Sequence, residues 1–130
     1  MIFYADTSAL VKLVVAEAET AALRSWIRAE SADLVSSDLA RTELLRAVRR
    51  VAGDRAVQAR AVLDSVTLVS VRTETFETAG QLDPATLRTL DALHIASALE
   101  LGDDLAGLVT YDDRISDAAR SHGIAVVAPH

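Results

Sequence analysis

Short apolar runs alternate with longer stretches of helical spacing along this chain, and no other feature constrains its fold as strongly. Ile2–Ala5 is continuously apolar, as strands buried in a parallel sheet are. Similar runs fall around Leu34–Ser36, in "TLVSV" from Thr67, in "GLVTYDD" from Gly107 and in "IAVVAP" from Ile124. Between them, Ser8–Glu17 carries Leu10, Leu13 and Val14 on one helical side, and Thr20–Ala32 carries Ala22, Leu23, Trp26 and Ile27. "LARTELLRAVRRV" reads as a helix ending near Gly53, with Ser37 or Asp38 as its N-cap, and Asp54 suits the cap of a helix through "RAVQARAVLDSV". A helix starting at Thr73 or Thr75, then "LDALHIASALELG" and "RISDAARSHG", follow, the last two ended by Gly102 and Gly123. Pro84 keeps "LDPATLRT" a loop. Strands alternating with helices from start to finish predict an α/β fold with a parallel sheet covered on both faces.

The 130 residues, 51% of them hydrophobic, suit one compact domain that buries roughly two-thirds of its unfolded surface. Cysteine is absent, which excludes disulfides, thiolate zinc sites and a cysteine nucleophile. No basic segment with an apolar stretch behind it opens the chain, and no apolar run approaches the ~20 residues of a membrane helix. A soluble cytoplasmic protein without a membrane role is the expectation. The net charge of −6 argues against a nucleic-acid binder that works by overall charge. Six arginines, at positions 41, 46, 49, 50, 55 and 60, nevertheless cluster against only Glu43 and Asp54. They form either a solvated helical face or a local basic patch.

The first apolar run stops at Asp6, and the run in "LVTYDD" stops at Asp112. In open parallel sheets, functional groups gather beyond the carboxyl ends of strands, where strand order reverses. If the strand 2–5 neighbours the strand around 108–110, these two carboxylates converge on one crevice. Each also suits a helix cap. Glu43 lies near Leu39 and Ala47 on its helix surface, either in that crevice or as an exposed partner of Arg46 or Arg50. Asp91 opens an otherwise apolar helix, where it competes with Thr89 as cap. Four carboxylates in one cleft repel each other, and a divalent cation removes the conflict. Ligation by oxygen alone suits Mg²⁺ or Mn²⁺, and such an ion is suited to phosphate esters.

Other chemistries lack their residues. Neither a G-x-G-x-x-G nor a G-x-x-x-x-G-K-[ST] run is present. His94, three residues after Asp91, reads as a satisfied, partly buried histidine; His122 fits a helix C-terminus, and His130 is terminal. A phosphatase of the haloacid dehalogenase type needs an acid where Ser8 stands and a late lysine, whereas Lys12 is the only lysine; response-regulator receivers fail in the same way.

"YADTSAL", "RTELLRAV", "LRTLDALHIASAL" and "LVTYDDRISDAA", in this order, resemble the PIN domain, and within it the VapC toxins of VapBC toxin–antitoxin pairs. The resemblance spans essentially the whole chain. It implies a three-layer α/β/α sandwich with a central parallel sheet, and a metal-dependent endoribonuclease held inactive by a VapB-type antitoxin. It assigns the acidic quartet to Asp6, Glu43, Asp91 and Asp112, with Asp6 and Asp91 as the main Mg²⁺ (or Mn²⁺) ligands, Glu43 completing the shell directly or through water, and Asp112 supporting a second metal position or orienting the attacking water. Ser8 and Thr110 take supporting parts. The adjacent Asp113 is a departure; alternation and the T-x-D spacing favour Asp112 as the acid facing the cleft. The resemblance further implies a homodimer and an antitoxin tail across the cleft. Arg46, Arg49 and Arg50 are the candidates for holding the RNA backbone. An inactive PIN-like module working through an antitoxin–DNA complex is the non-enzymatic alternative.

Overall fold

The computed structural model describes residues 1–130. Its strands are β1 (Ile2–Ala5), β2 (Asp33–Ser37), β3 (Thr67–Val69), β4 (Leu105–Val109) and β5 (Val126–Val127). Its α-helices are α1 (Thr7–Val14), α2 (Thr20–Ala29), α3 (Leu39–Val51), α4 (Ala56–Ser65), α5 (Thr73–Gln81), α6 (Thr89–Leu99) and α7 (Asp113–Ser121). All strand pairs are parallel, in the order β3-β2-β1-β4-β5. The chain builds outward from β1 on one side and returns to add β4 and β5 on the other. The order therefore reverses between β1 and β4, and Asp6 and Thr110 follow those two strands directly.

Alternation along the strands divides the core into two layers. Phe3, Ala5 and Val109 face Leu10, Leu44, Val48 and Leu63 of α1, α3 and α4. Tyr4 and Leu108 face the other way, onto Ile95 of α6 and Ile115 and Ala119 of α7. A smaller cluster joins Ala79 of α5 to Ala92, Leu93 and Ala96 of α6. With the sheet on one side and α5 on another, α6 is buried at every position from Asp91 to Ala98. A helix apolar around most of its circumference belongs in such a place. This placement forces Asp91 and His94 into the interior.

The three-layer α/β/α fold agrees with the sequence expectation, and the differences lie at element ends. The first two helices stop early, at Val14 and Ala29 rather than Glu17 and Ala32, where Glu17 N–H turns back to Thr20 Oγ1 and Ser31 adopts φ 47°. Asp54 does not cap α4: it lies in a 3₁₀ turn, Gly53–Arg55, ahead of the helix. Asp38 occupies the cap position of α3 without a capping hydrogen bond and pairs instead with Arg41 at 2.9 Å. Gly123, at φ 77°, ends α7 as expected: its N–H donates to Arg120 C=O, and Ile124 N–H donates to Ala119 C=O.

Gly107 in β4 is required for a packing reason. A Cβ there would stand 3.0 Å from Ala125 O and 3.3 Å from the Phe3 ring. Gly107→Val is expected to cost about 1–3 kcal/mol through overpacking. Urea denaturation measures this, and an unchanged midpoint would contradict the packing account.

Candidate functional site

The chain leaves β1 extended at Asp6 (φ −82°, ψ 177°), and α1 starts at the next residue. One carboxylate oxygen, Oδ1, accepts from the Ala9 amide at 3.1 Å and from Ser8 Oγ at 2.7 Å. The other, Oδ2, accepts from Thr110 Oγ1 at 2.5 Å, across the β1–β4 seam. Asp6 is thus both the cap of α1 and a group in the crevice, and only 1% of its surface is exposed. Burial pushes its pKa up, against the opposing pull of Thr110, Ser8, the charge of His94 and the Ala9 amide. Ser8 also accepts from the Tyr111 amide at 2.9 Å, and Thr110 Oγ1 accepts from the Asp112 amide at 3.0 Å. These hydroxyls tie the segment after β4 to the start of α1.

Glu43, on α3, reaches inward rather than to Arg46 or Arg50. Its Oε1 accepts from Thr7 Oγ1 at 2.9 Å and contacts His94 Nε2 at 2.6 Å. Burial alone would raise its pKa, but the hydrogen bond and charge of His94, with the Thr7 hydroxyl, outweigh burial and hold it below the ordinary range. The Nδ1 of His94 lies 2.8 Å from Tyr4 OH, so both ring nitrogens are engaged and the ring is fully buried. His94 is the satisfied histidine that its helix suggested, and in addition it fixes the position of Glu43. Sequence reasoning misses Thr7 and Tyr4. Thr7's position next to Asp6 is a usable signal, whereas nothing local marks Tyr4, 90 residues from His94.

Asp91 is buried in the first turn of α6, and neither it nor Thr89 caps that helix. Its Oδ2 accepts from Arg88 Nε at 3.1 Å. Asp112 does cap: its Oδ1 accepts from the Arg114 amide at 2.9 Å and the Ile115 amide at 3.1 Å. Asp113, the first residue of α7, is exposed. A chain of hydrogen bonds therefore links Asp112 through Thr110 to Asp6. A second chain links Tyr4, His94, Glu43 and Thr7, and Asp91 lies one turn before His94.

The side chains do not form a ready cage, since no three His, Asp or Glu groups are placed to hold an ion together. A small hard cation does not require one: Mg²⁺ typically keeps several waters and takes one or two carboxylates. The donor chemistry fits such an ion. Glu43 makes both its contacts through Oε1, Asp91 uses Oδ2 and Asp112 uses Oδ1, so each has a second oxygen outside these contacts. Asp6, with about four lone-pair sites, accepts three bonds. Arg46, Arg49 and Arg50 lie exposed near the end of α3, belong to no ion pair, and by themselves line a hollow of about 260 Å³.

The fold and the site define a class: a parallel α/β domain with buried acid chemistry at the reversal of strand order. The PIN domain family model matches residues 3–121. Ribonuclease VapC46 of Mycobacterium tuberculosis (strain ATCC 25618 / H37Rv) is 46% identical over 126 residues, covering 97% of this chain and 96% of that protein. Ribonuclease VapC47 of the strain CDC 1551 / Oshkosh is 38% identical over 130 residues, with coverage of 97% and 96%. Among solved structures, Mycobacterium tuberculosis VapC20, described as a sarcin-ricin loop cleaving toxin, superposes with a TM-score of 0.77 at 21% identity over 99% of this chain and 100% of that one. VapBC2 of Rickettsia felis, bound to a DNA fragment from its promoter, gives 0.71 at 15% identity, with both chains covered in full. The chain belongs to the PIN-domain family, in its VapC branch. No helix is long and apolar enough to cross a membrane.

Because the folded-state pKa of Asp6 is raised, the fold prefers its neutral form. Stability from this group is fully present below the unfolded value, near 3.9, and is lost as pH rises through the folded one. Asp6→Asn, which keeps the acceptor for Ser8 and Ala9, is expected to raise the melting temperature of metal-free protein at pH 7 by a few degrees. Calorimetry in EDTA checks this, and a lower melting temperature contradicts it.

Proposed function

We propose that this chain, as one PIN domain over residues 1–130, is the toxin of a VapBC-type pair and an endoribonuclease that hydrolyses RNA phosphodiester bonds with Mg²⁺ or Mn²⁺. The observation that carries the reading is the buried Asp6 carboxylate, collared by Ser8, Thr110 and the Ala9 amide between β1 and β4. Its relatives' names, Ribonuclease VapC46 and VapC47, supply the reaction class.

Asp6 and Asp91 would hold the cation, with Glu43 and Asp112 able to complete its shell. Such an ion, when bound, polarises a phosphoryl oxygen and lowers the pKa of a water molecule. The chain's own work is positioning. Ser8 and Thr110 fix both oxygens of Asp6, and His94 and Thr7 fix Glu43 in its ionised form, so the acids meet a substrate without reorganising. On α3, Glu43, Arg46 and Arg50 follow i, i+3, i+7. The arginines therefore continue the Glu43 stripe over roughly 5–10 Å and extend a track for the RNA backbone away from the acids. This reconciles an acidic chain with an anionic substrate. Ser8 donates to Asp6 where a haloacid dehalogenase phosphatase needs a second acid, so the phosphatase alternative finds no support.

The Rickettsia felis complex supports a VapB-type antitoxin as partner, and a cytoplasmic homodimer is consistent with the family. A basic side chain from the antitoxin tail, reaching the acids, would compete with the cation.

Incubation of the purified chain with total RNA should give discrete fragments with Mg²⁺ or Mn²⁺ and none in EDTA. Asp6→Asn should lower the rate by at least about 10²-fold while the chain remains folded. Full activity in that variant, or equal cleavage in EDTA, would overturn the reading. Replacing Arg46, Arg49 and Arg50 together with Gln should weaken RNA binding and flatten the slope of log K against log salt by about 0.7 for each phosphate no longer neutralised. An unchanged slope contradicts the track.

A further inference from the structure

Arg88 has no part in the quartet, yet it is the side chain in contact with Asp91. Its Nε donates to Asp91 Oδ2 at 3.1 Å; the arginine side chain is 58% exposed and the aspartate side chain 10%. An exposed cation thus pairs with a buried acid. The contact uses Nε alone, so the two terminal amino groups of the guanidinium lie outside it.

Beyond Arg88 opens a large hollow of about 780 Å³, between the 83–88 loop and α7. Arg88, Arg114 and His122 are among its lining residues. His122 Nε2–H donates to the Asp83 carbonyl at 2.8 Å and pins the loop to the end of α7. Arg114 follows Asp113 and gives its amide to the Asp112 cap. Neither Asp91 nor Asp112 lines the hollow, but Arg88, whose Nε holds Asp91, and Arg114, whose amide donates to Asp112, both do. The acids in its wall, Asp83 and Asp117, are both exposed to solvent, and Asp117 already faces Arg120 at 3.9 Å. The volume lies within the ~300–1,000 Å³ of small-molecule pockets, room for a nucleotide.

We propose that Arg88 is a two-position clamp, neutralising Asp91 in the metal-free protein and, once a divalent cation takes that carboxylate, holding an RNA phosphate in the hollow between the 83–88 loop and α7. The proposal rests on the reading of this site as a cation-dependent ribonuclease. The physical basis is exchange of partners. A half-exposed arginine–carboxylate pair is weak and opens readily. A cation on Asp91 removes the anion that holds the guanidinium, whose planar fork matches a phosphate better than any other side chain does. Arg114 would meet the same nucleotide from α7. Cation and substrate then favour one another, since the first frees the group that grips the second.

Two measurements test it together. Mn²⁺ titration of the RNA-free protein by calorimetry reads the first position: Arg88→Gln should bind Mn²⁺ about two- to fivefold more tightly than wild type, and Asp91→Asn more weakly. Steady-state cleavage of the RNA cut by the wild type reads the second. Arg88→Gln should raise KM roughly tenfold with kcat within about threefold, and Arg88→Lys should recover part of the loss. Mn²⁺ affinity that is unchanged or weaker in Arg88→Gln overturns the clamp, as does an unchanged KM, while a cleaving wild type leaves the ribonuclease reading intact. A wild type that neither binds Mn²⁺ nor cuts RNA overturns both.

Discussion

The structure turns on a carboxylate buried where strand order reverses. Asp6 leaves β1 with almost no exposure to water, and β4 answers from the adjacent strand with the hydroxyl of Thr110. Burying a carboxylate costs free energy unless it is hydrogen-bonded and paired. The three donors and the positive end of α1 meet part of that demand. None of the three donors carries a formal charge, so they leave the charge of the carboxylate without a counter-charge. Ser8 and Thr110 also receive the amides of Tyr111 and Asp112, so the same hydroxyls that support Asp6 set the course of the chain after β4.

The second layer of support is the row from Tyr4 through His94 to Glu43 and Thr7. It crosses the molecule from β1 to α6 to α3 and back to α1. Because α6 is enclosed by the sheet and α5, its polar members are buried, and His94 reaches from there to a glutamate on another element. Arg88, by contrast, stands at the mouth of α6 with most of its side chain in water. Buried partners thus hold Asp6 and Glu43 from within the fold, while the cation paired with Asp91 is mostly exposed.

Much of the fold was legible because strands and helices carry different periods. Phe3 and Tyr4 face opposite layers as alternation requires, and five apolar runs gave five strands. The acids at strand ends were legible for the same reason: a carboxylate that closes an apolar run can only lie at the rim of the sheet. Helix ends were less so. Asp38 and Asp54 have the chemistry of caps, but one found Arg41 and the other a 3₁₀ turn, and local preference does not choose between such outcomes. The partners of the site were hidden for a different reason. Tyr4 meets His94 across 90 positions and Glu43 meets His94 across 51, pairings that exist only after the sheet has ordered its strands. Arg88 was unremarkable in a loop until α6 turned Asp91 toward it.

The central claim is that carboxylates from β1 and α6 share one divalent ion at the reversal of strand order. Diffraction from crystals soaked in Mn²⁺ tests it most directly. The account predicts a single strong anomalous peak between Asp6 and Asp91, with the Arg88 side chain turned away from the aspartate. Peaks confined to surface acids such as Asp103 and Asp104, with no ion beside Asp6, would contradict it.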